Sequence, residues 1–361
     1  MERVLDAGGG PRIVSWNVTA RCNLACAHCY IDADGEGSPG ELDTAEGMAL
    51  IDQIAAVGRP ILVLSGGEPL LRPDIFDLAR YAAGRGLRVA MGTNGILVTD
   101  AVAERLSDTG IRKVAVSIDS TDPGVHDAFR GVSGAWEKAV NGIRALRRAG
   151  VPVQIHTTIG EPDIGEIDRI IAFGKSHGVR DYQFFFPVPT GRGEDLAGLP
   201  PEAHEAVIGR ILAHAREPGF SVRPTCAPQF VRVAARMGLD LSQWGRGCIA
   251  GTAYCRITPV GDVTPCPYLP VPVGNIRREA FSDIWHGSEI FAALRDPDSL
   301  GGKCGQCEYR RACGGCRARA YGVRHRRGDA CGGPVRPGDP DGDILAEDPC
   351  CPYEPGEITH D

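Results

Sequence analysis

The sequence lacks the features that point to a membrane protein, a secreted protein or a nucleic-acid-binding protein. No apolar run approaches the ~18 residues of a membrane span, and the N-terminus, MERVLDAGGGPRIV, contains no apolar signal core. Basic residues do not exceed acidic ones, and 39 against 46 give a formal net charge of −7. That balance disfavours nucleic acid and anionic membranes as main partners. We therefore expect a cytoplasmic protein with no nucleic-acid partner and no membrane contact.

Cysteine is missing from a long central part of the chain, although 361 residues include 14 cysteines. Three lie between positions 22 and 29, none follows until Cys226, and ten fall between Cys248 and Cys351. Disulfides are unusual in a reducing compartment. Clustering of cysteines at both ends therefore predicts metal or iron–sulfur sites.

Between the two cysteine regions, strand-like and helix-like patterns alternate. Six β-α units in sequence imply a parallel sheet with right-handed crossovers, and six is fewer than the eight strands of a closed barrel. The sequence thus predicts an α/β fold, an open partial (β/α)6 TIM-like barrel. The predicted strands are at about 12–18, 61–65, 88–92, 112–118, 151–158 and 182–186, and the predicted helices at about 43–57, 74–85, 100–109, 136–149, 164–178 and 202–216.

After about residue 220 this alternation stops. The sequence becomes rich in Cys, Gly and Pro, and one short periodic segment remains near 279–295. Such a composition predicts a small domain that metal clusters hold together rather than a large core. We therefore assign residues 1–220 to the barrel and residues 221–361 to a small Cys-rich domain.

Short polar motifs follow the predicted strands, at the carboxyl ends where parallel sheets bind ligands. The first cysteines follow strand one, SGGEP follows strand two, GTNG follows strand three and SIDS follows strand four. This agreement between motif position and strand end supports the predicted fold.

The first cysteine group, Cys22, Cys26 and Cys29, has one member fewer than a structural zinc site or a fully ligated [4Fe–4S] cube requires. Three thiolates can hold three irons of a cube and leave the fourth iron free to chelate a small molecule. The alternative is a zinc site completed by His28 or by a distant residue.

The spacing C-x3-C-x2-C, followed by the aromatic Tyr30, resembles the signature of the radical S-adenosylmethionine (SAM) enzymes. The resemblance implies that the open iron binds SAM, and that reductive cleavage of SAM yields a 5′-deoxyadenosyl radical that abstracts hydrogen from the substrate. It also implies SAM contacts for residues in the following motifs, namely Gly66, Gly67 and Glu68 of GGEP, Thr93 and Asn94 of GTNG, Ser117 and Asp119 of SIDS, and Arg130 of HDAFRG.

The second cysteine region resembles the SPASM domain, which carries two auxiliary [4Fe–4S] clusters, except that two residues instead of three separate Cys313 from Cys316. Three cysteines are candidates for the last ligand of the second auxiliary cluster: Cys351, which we favour, Cys331 and Cys350. Zinc-ribbon knuckles are the alternative for the whole region. The resemblance implies auxiliary site I on Cys248, Cys255, Cys266 and Cys316, and auxiliary site II on Cys304, Cys307, Cys313 and the distal cysteine.

Within the radical SAM enzymes, segments such as IHTT, FFFPVPTGR and PTCAPQF resemble the tetrapyrrole-modifying group, which includes the NirJ-type proteins of heme d1 synthesis and the heme decarboxylase of the siroheme pathway. The resemblance implies removal or modification of a carboxylate side chain of a small-molecule tetrapyrrole. His156, Arg192 and Cys226 are candidates for the substrate pocket, and Arg232 and Arg236 are weaker ones. We expect three [4Fe–4S] clusters, a flavodoxin- or ferredoxin-type electron donor and a monomer.

Other functions stay open at this point. Maturases of ribosomal peptides and decarboxylases of sugar or nucleoside intermediates also carry SPASM domains. Only 21 residues precede Cys22. We therefore expect no N-terminal leader-binding domain, which disfavours a peptide substrate. A non-catalytic iron–sulfur carrier or zinc-binding module is disfavoured by the open three-cysteine loop together with GGEP.

Overall fold

A computed structural model describes residues 9–160, 164–196, 198–240, 244–322, 333–339 and 342–356 of the chain. Its strands all belong to one sheet. In chain order they are β1 (Ile13–Asn17), β2 (Ile61–Ser65), β3 (Arg88–Thr93), β4 (Lys113–Ser117), β5 (Val153–Thr158), β6 (Asp181–Phe185), β7 (Ser221–Thr225), β8 (Tyr254–Ile257), β9 (Asp262–Thr264) and β10 (Gly274–Asn275).

The sheet has the order β10-β9-β8-β1-β2-β3-β4-β5-β6-β7. Strands β1 to β7 are parallel neighbours, and β8 pairs in parallel with the other edge of β1. The short strands β9 and β10 extend the sheet in antiparallel fashion. Because the two end strands do not pair with each other in the described part of the chain, the barrel is open. The predicted α/β partial barrel is confirmed, with more strands than the six predicted.

The helices alternate with the first seven strands, so each crossover packs back onto the sheet. Helix α1 begins with a capping box, in which the Asp43 carboxylate accepts from the Glu46 amide and the Glu46 carboxylate accepts from the Asp43 amide. No helix in the described segments has both the length and the apolar character that crossing a bilayer requires. The helices are α1 (Thr44–Ala56), α2 (Ile75–Gly84), α3 (Asp100–Asp108), α4 (Pro123–Arg130), α5 (Ala135–Arg148), α6 (Ile164–Ser176), α7 (Pro201–Ala213), α8 (Phe230–Arg236), α9 (Phe281–Gly287), α10 (Glu289–Arg295), α11 (Gly302–Gln306) and α12 (Arg317–Tyr321).

The two faces of the sheet differ in burial. In β5, Val153 and Ile155 belong to the main apolar core, whereas the alternating residues Gln154 and His156 are only half-buried. Successive side chains of a strand point to opposite faces, so one face packs on the helices and the other, here called the inner face, carries more polar and more accessible side chains. The inner face is where a substrate could be accommodated.

The sheet and the core continue into the Cys-rich region. Ile257, Val263, Phe281 and Trp285 all pack in the same buried cluster as Val14 of the first strand. Part of the region thus shares the large core of the barrel instead of depending on metal clusters alone, which differs from the expectation. The boundary at residue 220 stays a prediction from composition.

Candidate active site

The first cysteine loop follows β1 at the carboxyl edge of the parallel sheet. Its backbone is held from several sides: the Cys22 amide donates to the Asp34 carbonyl at 2.5 Å, and the Ala27 amide donates to the Phe129 carbonyl at 3.0 Å. Cys26 is buried, whereas Cys22 and Cys29 are partly accessible. The loop therefore presents its cysteines from a backbone that the surrounding barrel positions.

The GGEP turn after β2 packs directly on the residues that enter this loop. The Gly67 amide donates to the Thr19 carbonyl at 2.8 Å, and the Glu68 amide donates to the Arg21 carbonyl at 2.7 Å. A Cβ atom on Gly66 would lie 2.3 Å from the Thr19 carbonyl oxygen, and one on Gly67 would lie 2.2 Å from that of Arg21. The two glycines are thus required by packing against the cysteine loop, a reason that the motif alone did not reveal.

Glu68, Thr93 and Asn94 are brought together at the ends of β2 and β3. The fully buried Glu68 carboxylate accepts from the Thr93 hydroxyl and the Asn94 amide, each at 2.8 Å, and from the Leu70 amide at 3.1 Å. Burial raises the pKa of Glu68 to about 7, although these hydrogen bonds oppose the shift. The Asn94 side chain also donates to the Asn23 side chain at 2.7 Å, which links this cluster to the cysteine loop.

Arg130 lies against one of the three cysteines. Its Nε donates to the Asp119 carboxylate at 2.5 Å, and its Nη1 lies 3.7 Å from the Cys26 sulfur. Asp119 also accepts from the Thr158 amide at 2.9 Å. Burial acts to raise the pKa of Asp119, but the Arg130 guanidinium lowers it overall. The guanidinium expected to contact SAM thus bridges Asp119 and a cysteine thiol of the loop.

Arg192 contacts the same loop from the segment after β6. Its Nε donates to the Cys26 carbonyl at 3.1 Å and its Nη1 to the Ala33 carbonyl at 2.9 Å, while its amide donates to the Cys29 carbonyl at 3.0 Å. The adjacent Gly191 has φ +55°, and a Cβ there would lie 2.4 Å from the Cys29 carbonyl oxygen. Through these contacts Arg192 holds the cysteine loop, and the substrate-pocket role expected for it stays a prediction.

Tyr30 connects the first cysteine loop to the Cys-rich region. Its hydroxyl accepts from the Asn17 side chain at 2.8 Å, and its ring centroid lies 5.3 Å from that of Tyr268. The Arg256 guanidinium lies over the Tyr30 ring and also donates to Asn17 at 2.7 Å. This aromatic residue of the motif therefore joins the two cysteine-bearing parts of the molecule.

The remaining pocket candidates differ in placement. His156 is on the inner face, in register with Ser117 of β4, and burial lowers its pKa to about 3, so the imidazole is neutral at physiological pH. Arg232 and Arg236 both form ion pairs with the Glu205 carboxylate. His156 therefore shares the inner face with Ser117, which was expected to contact SAM, whereas the two arginines are engaged with an acidic side chain.

Auxiliary site II corresponds to a single cavity. Cys350 is disulfide-bonded, Cys351 is a free and partly accessible thiol, and Cys331 lies outside the described residues. Burial raises the pKa of the Cys351 thiol to about 11. Four cysteines line the cavity: Cys304, Cys307, Cys313 and Cys351.

Auxiliary site I is assembled differently from the expectation. Cys266 and Cys316 pack together in a small apolar cluster that also contains Cys226, and the amide of Cys248 donates to the Cys313 carbonyl at 2.8 Å. Cys255 is instead fully buried in the main core. The structure thus does not bring Cys255 to the other cysteines implied for this site.

Comparisons with known proteins agree with this geometry. Residues 16–174 match the radical SAM superfamily model, and residues 248–316 match that of SPASM, an iron–sulfur cluster-binding domain. The AdoMet-dependent heme synthase of Methanosarcina barkeri is 41% identical over 358 residues, which cover 96% of this chain and 98% of the relative. The chain belongs to the radical SAM superfamily.

Other relatives of this radical SAM enzyme have different activities. The pre-heme d1 synthase of Dinoroseobacter shibae is 33% identical, with 96% of this chain and 87% of the relative covered. The mycofactocin maturase MftC of Mycobacterium tuberculosis is also 33% identical, with 89% and 81% covered. Membership in the superfamily, as the cysteine motif predicted, is confirmed.

Solved structures share the fold of the radical SAM enzyme. SuiB of Streptococcus suis bound to S-adenosylmethionine has a TM-score of 0.71 at 15% identity, covering 95% of this chain and 77% of SuiB. The enzyme anSMEcpe with bound AdoMet has a TM-score of 0.67 at 16% identity, covering 94% and 93%. The matched domains make SAM and [4Fe–4S] clusters the cofactors, and the SPASM match favours iron–sulfur over the zinc alternative.

The environment of Arg246 indicates whether the auxiliary sites of the radical SAM enzyme can accommodate anionic [4Fe–4S] clusters. Its guanidinium is buried, and Nε and Nη1 have no hydrogen-bond partner among the described residues. Burial lowers its pKa, and it interacts electrostatically with Cys248 of auxiliary site I and Cys313 of auxiliary site II, which oppose that shift. A cluster with four thiolate ligands is anionic, and a buried cation without a partner suits such a group.

Proposed function

We propose that this radical SAM enzyme removes or modifies a carboxylate side chain of a tetrapyrrole in heme or heme d1-type biosynthesis. The observation that carries the proposal is similarity over almost the whole chain to AdoMet-dependent heme synthases, at 41% identity in Methanosarcina barkeri and 37% in Nitratidesulfovibrio vulgaris. The pre-heme d1 synthase relative supports the same substrate class. A polar, accessible inner face suits a substrate with several carboxylates.

The chain's own residues have distinct parts in this proposal. When bound, the cluster at the first cysteine loop and SAM supply the electron and the 5′-deoxyadenosyl radical that abstracts a substrate hydrogen atom. Glu68 and Asn94 keep the GGEP turn and the GTNG loop in contact with the cysteine loop. Arg130 holds a positive charge beside the Cys26 sulfur, which favours the thiolate and opposes the rise in pKa that burial of Cys26 causes.

The proposal also assigns the SAM contacts. Backbone groups of Gly66 and Gly67 and the Glu68 carboxylate would bind the methionine ammonium. Thr93, Asn94, Ser117 and Asp119 lie at the ends of β3 and β4 and would bind the ribose. His156 remains neutral on the inner face and would line the substrate side.

We also propose three [4Fe–4S] clusters. The first is at Cys22, Cys26 and Cys29, with SAM completing it, and the second is at auxiliary site II, where four cysteines line one cavity. The third is at auxiliary site I, with Cys248, Cys266 and Cys316 as three of its ligands. Anaerobic reconstitution should therefore give about twelve irons per chain, and about four would contradict the proposal.

The reaction can be tested with the anaerobically reconstituted enzyme. It is incubated with reductant, SAM and either iron coproporphyrin III or didecarboxysiroheme, and both 5′-deoxyadenosine and the tetrapyrrole mass are followed. Loss of mass from a tetrapyrrole, abolished in Cys26→Ala, is the expected result. Formation of 5′-deoxyadenosine with both tetrapyrroles unchanged, and with a peptide or nucleoside consumed instead, would overturn the substrate assignment.

A peptide maturase is the second candidate function. The 33% identity to MftC over 89% of this chain favours it. The same assay with a precursor peptide distinguishes the two, because only one substrate class should be consumed. The flavodoxin- or ferredoxin-type donor, the monomeric state, the cytoplasmic location and the sugar or nucleoside alternative stay predictions.

A further inference from the structure

Auxiliary site I requires a fourth thiol, and the family pattern implies Cys255. That residue is on β8, which pairs with β1 so that Cys255 is opposite Val14 and Arg256 is opposite Ser15. Paired residues of neighbouring strands have side chains on the same face. Val14 is fully buried in the main core, so Cys255 faces the helices.

The next residue of β8 confirms this orientation. Arg256 points to the inner face, where its Nε donates to the Asn17 side chain at 2.7 Å and its guanidinium covers Tyr30. Because side chains alternate along a strand, Cys255 must point the other way. Cys255 belongs to the same buried cluster as Phe291 and Leu294 of α10, on the helix side of the sheet.

Cys226 is placed where Cys255 was expected. It follows β7 at the carboxyl edge of the sheet and packs in the small apolar cluster with Cys266 and Cys316. Its backbone has φ +62°, a left-handed conformation that costs energy in residues other than glycine and is concentrated at functional sites. Its thiol is near enough to Cys316, Cys266 and Cys248 to interact electrostatically with all three.

A second, independent feature of this cluster indicates an anionic ligand. Arg319 is almost completely buried, and its Nε and Nη2 donate to the Asp348 carboxylate, each at 3.1 Å. Its Nη1 is also buried but has no partner within the described segments. The charges of Cys316 and Cys226 both act on this guanidinium. An unpartnered guanidinium nitrogen beside these cysteines suits the negative charge of a thiolate-ligated cluster.

We propose that Cys226, and not Cys255, is the fourth cysteine ligand of the [4Fe–4S] cluster at auxiliary site I. The inference rests on the proposed presence of two auxiliary clusters. It replaces the substrate-pocket role predicted for Cys226, because a ligated sulfur is not free to donate hydrogen. It also ties auxiliary site I to the barrel itself, since Cys226 comes directly after β7.

The test compares two substitutions, each chosen to suit the backbone conformation at its position. Both are made in a chain whose first cluster site is removed by Cys22→Ala, Cys26→Ala and Cys29→Ala. Cys226→Gly removes the thiol and suits the positive φ, because glycine adopts it without strain. Cys255→Val is the matched control, since valine fits a buried strand position. Both proteins are reconstituted anaerobically, and iron per chain and the EPR spectrum are measured.

With Cys226 and Cys255 both present, the chain that lacks the first site, here called the background chain, should hold about eight irons. We expect Cys226→Gly to lose about half of this iron or to convert one cluster to a three-iron form with its own EPR signal, and Cys255→Val to match the background. Cys226→Ser, which offers an oxygen ligand, should keep the iron and change the EPR spectrum. Circular dichroism of each variant separates loss of a ligand from loss of folding.

Iron loss in Cys255→Val with full iron in Cys226→Gly would overturn the ligand assignment, as would unchanged iron and spectra in both. A background chain without auxiliary iron would instead contradict the proposed clusters themselves, and the ligand assignment with them. Substrate turnover does not enter this comparison, so a failed tetrapyrrole assay leaves it unaffected.

Discussion

Arg319 and Asp348 form an ion pair in which both side chains are almost completely buried, with Nε–Oδ1 and Nη2–Oδ2 distances of 3.1 Å. The Asp348 carboxylate also accepts from the Cys316 amide and the Gln229 side chain, each at 2.7 Å. Asp348 precedes Cys351 by three positions, and its amide lies 3.3 Å from the Cys304 sulfur. One carboxylate therefore connects segments from both auxiliary sites.

Replacing this carboxylate should be costly. Burial acts to raise the pKa of Asp348, but Arg319 lowers it to about 2 overall, so Asp348→Asn leaves a buried guanidinium unpaired, at a cost of ~3–5 kcal/mol. We expect a clear drop in melting temperature and loss of auxiliary iron. The matched control is Asp298→Asn, which removes an exposed partner of Arg310 and Arg311 and should cost less than ~1 kcal/mol. Equal effects in the two variants would contradict the structural role of the buried pair.

Arg192 should be needed to position the first cysteine loop. Arg192→Ala removes two hydrogen bonds from a charged donor to loop carbonyls, each worth ~1.5–3 kcal/mol. We expect iron loss from the first site and a decrease of about tenfold or more in 5′-deoxyadenosine formation. Arg192→Lys should restore the iron content and the 5′-deoxyadenosine formation only in part, because an ammonium group cannot reproduce the planar arrangement of guanidinium donors.

The control for Arg192 is Arg80→Ala, which removes an exposed side chain paired with Asp77 and should leave both measurements unchanged. If Arg192→Ala keeps its iron and its SAM cleavage but no longer consumes the tetrapyrrole, the side chain acts on substrate instead of on the loop.

The close approach of GGEP to the cysteine loop gives a paired test. Gly67→Ala puts a Cβ within 2.2 Å of the Arg21 carbonyl oxygen, and since backbone faces backbone we expect a loss of about 3 kcal/mol or more. Gly84→Ala at the end of α2 meets nothing within 4 Å and should stabilise by ~0.5–1 kcal/mol. Melting temperatures of the two variants, measured beside the unaltered protein, should move in opposite directions. A Gly67→Ala protein as stable as the parent would refute the packing reason for this glycine.

His204 should make stability depend on pH. Burial lowers its pKa from 6.5 to about 3, its ring packs on Phe186 at 4.4 Å, and neither ring nitrogen has a partner in the described residues. The unfolded chain takes up a proton below pH 6.5 that the folded chain refuses, so stability falls as pH falls, by ~1 kcal/mol at about pH 6. His204→Phe should remove this loss, and its advantage in melting temperature should grow from about pH 8 to about pH 6. Replacing the exposed His286 by Phe is the control, and parallel pH curves for His204→Phe and the parent would exclude the effect.

Much of the barrel was predictable because its strands are apolar and regularly spaced. Strands β1 to β6 lie within two residues of the predicted positions. The later strands were missed for a physical reason: SVRPT of β7 is polar and contains Pro224, and YCRI of β8 is only four residues long. Neither has a periodicity that distinguishes it from a loop.

The site was predictable only as far as motifs define it. The loop with Cys22, Cys26 and Cys29 and the GGEP turn are local patterns, and sequence spacing was enough for both. The face on which Cys255 lies depends on its register with β1, and the contact between Arg192 and Cys26 joins positions that are 166 residues apart. Spacing along the chain carries no information about either.

The parallel pairing of β8 with β1 also has a consequence for the order in which the molecule is assembled. While the chain emerges from the ribosome, β1 has one open edge until residues as far as Ile257 have been made. An open edge strand is a site for association with other chains. The strand that leads into the first cysteine loop is thus completed by a segment made much later, so the sheet beside that loop stays unfinished until most of the chain has been synthesised.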